Sequence, residues 1–330
     1  LGVLSASLIL YGFSLLYGLT GELIFSEISK ILLVKNLSTS PAALLSVMLI
    51  LAGIGFKISV VPFHSWAPDT YEGSPLPVTA YLSVSSKATG FVALMIILTK
   101  VFPDSGSSWG IVLVFISGLT MFIGNLSALQ QSNPVRLLAY SSIAQAGFIL
   151  APLAVAGISG DYADGIYASV TYLIIYAFMN LGAFLVVNVL INTSGSKDIY
   201  EWGGLAKHQP LTAIFATVFF FSLAGIPPLG GWFAKFVVFR SLLSTGEVYG
   251  ITLAIIGAIN AVIGLVFYAR ISKIIWMDSP SENITINTKP VLLTPLKVVG
   301  FISLAITFLS GIFPNIFSNL GNASALFFNS

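Results

Sequence analysis

GFKISVVPFHSWAPDTYEGSPLPVTAYLSVSSKATGF, residues 55–91, is the stretch on which the fold turns. It starts inside one apolar segment, breaks at Pro62, crosses a turn-rich loop and ends inside a second apolar segment. Each apolar segment carries one lysine, Lys57 and Lys87. A lysine at the centre of a bilayer costs roughly 2.5–3.5 kcal/mol even on the mildest scale. Such a residue points to function wherever its segment crosses a membrane.

The composition says that these segments do. Hydrophobic residues make up 56% of the 330 and charged ones only 8%, with a mean hydropathy of +0.97. A soluble domain carries about 25% charged residues. With a third of that supply the chain could not cover a wet surface, so it is read as an integral membrane protein. The net charge of +2 is spread along the chain and forms no nucleic-acid patch. There is no cysteine, which excludes disulfides, thiolate zinc sites and cysteine-ligated iron–sulfur clusters. His64 and His208 both fall in polar connections, which argues against an intramembrane haem pair. No cofactor or metal is therefore expected on this chain. The sequence opens at Leu1, inside an apolar run, with neither a basic n-region nor an A-x-A-like site. The expectation is a single polytopic membrane domain over 1–330, lacking its N-terminal helices.

A helix needs about 20 apolar residues to cross the hydrocarbon. About nine runs qualify: 1–19, 41–62, 77–99, 109–129, 137–157, 165–192, 211–238, 249–269 and 292–314. They are continuous rather than alternating, so the fold class is all-α, a multi-pass helical bundle and not a barrel. Lys30, Lys35, Lys100 and Arg240 fall on one side of this topology. Arg136, Lys197, Lys207, Arg270, Lys273 and Lys289 fall on the other. The excess places the 63–76 and 270–291 loops in the cytoplasm or stroma, with a tail after Pro314 on the opposite side.

Two spans are interrupted. Pro62 removes the donor for the carbonyl of Ile58, and Pro227 and Pro228 remove those for Leu223 and Ala224 within SLAGIPPLGGWFAK, residues 222–235. Freed backbone at membrane depth survives only where it is buried in protein or lines a wet cavity, and paired broken helices mark the ion site of many transporters. A single proline kink is the ordinary alternative. The lysine near each break favours the former.

Lys57, Lys87 and Lys235 lie within spans, whereas Lys100 and Lys297 sit near span ends and snorkel. All twelve carboxylates fall in connections, so the intramembrane lysines have no acid at their own depth in this chain. A buried, unpaired ammonium loses proton affinity until it can exchange protons near neutrality. Hydroxyls and amides thread between them: Thr79, Tyr81, Ser83, Ser85 and Ser86, then Tyr140, Ser141, Ser142 and Gln145, then Tyr172, Tyr176 and Asn180 at four-residue spacing, and Asn260. Such groups either hold water chains or bind helices together, and the Tyr172–Tyr176–Asn180 stripe is read as the latter. His64, near Asp69 and Glu72 but without a second histidine or any cysteine, is too sparse for a transition-metal site.

FKISVVPFHSWAPDTYEGSPLPVTAYLSVSSK, NPVRLLAYSSIAQAGF and SLAGIPPLGGWFAKF resemble the antiporter-like membrane subunits of respiratory complex I and of the cyanobacterial and chloroplast NAD(P)H-quinone oxidoreductases, in the branch that holds bacterial subunit N. The resemblance implies a fourteen-helix fold with two inverted five-helix repeats, each with one discontinuous helix, entered here at about the sixth helix. It matches Lys57 to the lysine of the first broken helix, Lys87 to the central lysine, and Lys235 to the lysine of the second broken helix, a proton-translocating chain along the midplane. The family's glutamate partner of Lys57 would lie upstream of Leu1. Gln145 stands where some members carry histidine, and the inverted repeat is not visible in the letters. The implied function is proton transport coupled to electron transfer onto plastoquinone or another quinone. The implied partners are the other membrane and hydrophilic subunits, which carry the iron–sulfur clusters and quinone. The implied location is a thylakoid or a bacterial plasma membrane. A subunit of a multisubunit cation/proton antiporter and a non-transporting scaffold subunit are the rivals.

Overall fold

Prolines and glycines set the joints of this chain. The computed structural model describes residues 2–279 and 294–329. In chain order the helices are α1 (Gly2–Thr20), α2 (Phe25–Val34), α3 (Pro41–Ile58), α4 (Trp66–Gly73), α5 (Leu76–Tyr81), α6 (Lys87–Lys100), α7 (Gly106–Leu129) and α8 (Pro134–Ser159). They continue with α9 (Tyr162–Ser194), the single turn α10 (Leu205–His208), α11 (Pro210–Ala224), α12 (Gly230–Ser244), α13 (Val248–Met277), α14 (Thr294–Ile312) and α15 (Pro314–Asn329). A π-helical turn, Leu82–Ser86, joins α5 to α6. Four helices begin at a proline, whose missing N–H costs nothing there. The side chains of Ser40, Asn133 and Asp161 cap the starts of α3, α8 and α9.

Among the described residues, seven helical segments are long and apolar enough to cross a bilayer: α1, α3, Leu76–Lys100, Pro103–Leu129, α8, α9 and α13. The expected run 211–238 is present as the divided pair α11–α12, and the described part of 292–314 as α14, which reaches the length of a span only together with α15. Helix α8 is the axis, with 94% of its spanning window buried, and α1 is the rim at 17%. Small residues allow close approach between neighbours. Ser5 and Ser46 donate across the α1–α3 seam to the carbonyls of Gly53 and Gly12, at 2.8 and 2.6 Å. Ser117 of α7 donates to Gly147 of α8 at 2.8 Å.

The connections sort onto two ends. Ile199 N–H donates to Ser132, Arg270 to Leu129 and Gln131, and Arg136 to Asp69 and Glu72 at one end. Tyr162 donates to Pro103, and Arg240 pairs with Asp164, at the other. This is the alternation read from the lysine and arginine distribution. Lys289 and Glu282 lie outside the described residues.

Two boundaries differ from expectation. The run 41–62 ends as helix at Ile58, because Ser59 turns left-handed and the N–H groups of Ser59 and Val60 close back on Phe56 and Gly55. The break is thus a loop before and around Pro62, not a kink at it. The residues after Pro314 form no tail. They make α15, which turns 89° from α14 and lies across α9, where Tyr167 meets Ser318 at 2.9 Å.

Candidate functional site

Lys87 follows the π-helical turn and points into the bundle, 1% exposed. Its ammonium donates to the carbonyl and the hydroxyl of Ser142 on α8, at 2.6 and 2.9 Å. The turn itself is gripped by α9: Asn180 donates to Ser83 Oγ at 2.8 Å and Tyr176 to Ser83 O at 3.4 Å. The α9 stripe therefore binds helices at these two residues, as read. Its third member, Tyr172, ties α9 to α8 by donating to Gln145 Oε1.

Lys235 lies on α12 just after the second break, 6% exposed. Its side chain folds back under the end of α11 and donates to the carbonyls of Leu223 and Ala224, at 3.1 and 2.6 Å. These are the two carbonyls that Pro227 and Pro228 were expected to orphan. A helix end leaves its last carbonyls without intrahelical partners, and here the lysine takes them. The face of Phe148 closes the third side at 5.1 Å. Gly225, at φ +94, makes room: a Cβ there would come within 2.8 Å of Lys235 Cδ.

Polar groups lie between the two lysines, bonded to one another from Lys235 as far as Ser141. Ser141 and Tyr268 of α13 share a hydrogen bond of 2.5 Å. Gln145 Nε2 donates to Tyr268 at 3.4 Å and to the Leu223 carbonyl at 3.1 Å, the same oxygen that Lys235 engages. Ser141, Ser142 and Gln145 were legible as a cluster. Tyr268 was not, since a lone tyrosine in YARISK offers no spacing signal. Asn260, also singled out, meets Asn125 of α7 at 3.0 Å and ties α7 to α13.

Lys57 stands apart. It occupies the last turn of α3 and is exposed, unlike the other two. It faces a cavity of about 250 Å³ between α1, α3 and α6, lined by small residues including Ser5, Ala6, Gly90 and Ala93. At the break beside it, Val61 N–H donates to Thr120 at 3.0 Å and the Trp66 indole to the Phe56 carbonyl at 2.9 Å. Burial holds the His64 imidazole below its ordinary value. Among the described residues no group of three or more histidines, cysteines or carboxylates is arranged to hold a metal.

The carboxylates nearest this break have another partner. Arg136 at the start of α8 donates to Asp69 and Glu72 of α4, both at 2.7 Å, and Asn133 donates to Glu72 at 2.7 Å. The i, i+3 acids in APDTYEG could have signalled a basic partner, but nothing in the letters says which.

Residues 1–264 match the family model described as NADH:quinone oxidoreductase/Mrp antiporter, TM. The chain belongs to that family. NADH-quinone oxidoreductase subunit N of Moorella thermoacetica is 40% identical over 329 residues, 99% of this chain and 66% of the relative. The chloroplastic NAD(P)H-quinone oxidoreductase subunit 2 of Mesostigma viride is 40% identical over 324 residues, 96% of this chain and 63% of the relative. A chain of respiratory complex I from Thermus thermophilus superposes with a TM-score of 0.76 at 27% identity, over 96% of this chain and 66% of that one. The chain thus spans less than two thirds of these relatives' length. Both divided spans that the resemblance implies are present, with the exposed Lys57 at the first and the buried Lys235 at the second.

Proposed function

We propose that the protein is a proton-translocating membrane subunit of a type-I NAD(P)H dehydrogenase, coupling electron transfer to quinone with proton movement through Lys57, Lys87 and Lys235. The observation that supports it most is the setting of Lys87 and Lys235. Both are buried with only carbonyls, one hydroxyl and an aromatic face around the ammonium. Carbonyls stabilise the charged form while burial disfavours it, so small rearrangements change proton affinity. The chain itself carries no redox centre in this reading. Iron–sulfur clusters and quinone belong to partner subunits, in a cyanobacterial or plastid thylakoid or a bacterial plasma membrane. The cavity beside Lys57 has room for a carboxylate side chain from a neighbouring segment.

A cation/proton antiporter subunit is the second reading, favoured by the breadth of the matched family itself. Co-purification with hydrophilic iron–sulfur subunits separates the two. The function is tested by Lys87→Met and Lys235→Met in the full-length protein within its assembled complex. Proton pumping is expected to collapse in each. Pumping at the unsubstituted rate in both would leave only a scaffold role.

A further inference from the structure

The polar path between Lys87 and Lys235 is closed by its own hydrogen bonds. A proton can hop only through groups that both accept and donate, and a carbonyl only accepts. Lys87 donates to Ser142, but the Ser142 hydroxyl hands its own hydrogen to the Ala139 carbonyl at 2.9 Å. From the other end, Lys235 and Gln145 both donate to the Leu223 carbonyl. The Gln145 amide is fixed in this pose. Its Oε1 accepts from Tyr172, and its two N–H groups go to Leu223 and Tyr268. A flipped amide would set two carbonyl oxygens against each other, so Leu223 decides the orientation. Gln145 is 3% exposed, and Tyr268 is 1% exposed.

We propose that Gln145, clamped by Tyr172, Tyr268 and the Leu223 carbonyl, is a closed proton gate between Lys87 and Lys235, with Tyr268 as the residue that holds its amide in place. The inference rests on the proposed lysine route. The stop is a carbonyl at the broken end of α11, four residues before the first of the prolines, so movement at the break moves the gate. When Gln145 leaves Leu223, waters can bridge that carbonyl's neighbour Lys235 to the Ser141 hydroxyl past Tyr268, and a proton passes hop by hop. When Gln145 returns, the two lysines are insulated and the proton cannot run back. Gln145 thus works as a valve rather than as a carrier, which fits a side chain that never changes charge.

The test uses the full-length protein in its complex, reconstituted in vesicles without NAD(P)H or quinone. A pH gradient is imposed and its passive decay followed with an entrapped dye, normalised to assembled complex on a native gel. Tyr268→Phe keeps the ring between Phe220 and Phe267, which pack on it at 6.2 and 4.3 Å, and removes one hydrogen bond of the clamp. A typical neutral hydrogen bond corresponds to about fivefold in the open population, so the leak is expected to rise about fivefold. Gln145→Ala should leak more, and both should lower protons moved per electron. An unchanged leak with reduced pumping would make Tyr268 a carrier and overturn the gate. An unchanged leak with unchanged pumping would overturn it too, leaving only packing. Lys235→Met keeps the two ideas apart: if it pumps normally the lysine route is wrong, whereas its failure alongside tight gate variants sinks the gate alone.

Discussion

Lys57 is the lysine whose surroundings are least complete, and its substitution discriminates most sharply. Its ammonium is exposed beside a cavity lined by small residues, which leaves room for a carboxylate to pair with it. Lys57→Ala should leave the fold nearly intact and sharply reduce pumping in the assembled complex. Lys57→Arg should fail as well, because arginine stays protonated. Pumping at the parental rate in either would remove Lys57 from the route. Gly225 sits at the opposite extreme, fully determined by its neighbours. Its φ of +94 and the 2.8 Å approach to Lys235 leave no place for a methyl. Gly225→Ala should cost about 1–2 kcal/mol from the backbone alone and push Lys235 off its carbonyls. Vesicle pumping assays should then show a loss close to that of Lys235→Met, with assembly lowered.

At the scale of elements, the two divided spans are built differently. In α3–α4 the lysine precedes the loop and an indole takes the carbonyl of Phe56, whereas in α11–α12 the lysine follows the loop and takes the carbonyls itself. The short α4 is too small to hold its place alone. It is pinned to α8 by Arg136, and to α5 by Thr79, which donates to the Tyr71 carbonyl at 3.0 Å. Arg136→Ala leaves Asp69 without its partner and Glu72 with Asn133 alone, and should loosen the whole segment 59–73. Hydrogen exchange within that segment should accelerate by about tenfold or more while α8 stays protected. Equal protection in both proteins would mean that packing, not the ion pairs, holds α4.

At the scale of the molecule, α8 fixes the geometry for every other helix, and its two ends report the sidedness. The chain has no cysteine, so single cysteines are clean probes. Ser132 and Ser159 flank α8 and are both exposed. In intact vesicles an impermeant maleimide should label Ser132→Cys from the cytoplasmic or stromal face and Ser159→Cys only from the other. Labelling of both from one face would invert the assignment of the loops.

The spans, their breaks and the three lysines were legible in the sequence because each leaves a local mark: an uninterrupted apolar run, a proline or glycine that cannot continue a helix, a charge where lipid forbids one. Ser142 and Gln145 were legible as polar residues out of place, though their partners were not. Only the tertiary structure decided that Tyr268 reaches Gln145 across 123 residues of chain, that Arg136 holds α4, and that Lys235 satisfies the very carbonyls its own prolines release. Those pairings depend on which helix faces meet, and in a chain this apolar nearly every face is hydrophobic enough to meet any other. The choice is made by small residues and shared hydrogen bonds between distant helices, which no single stretch of sequence contains.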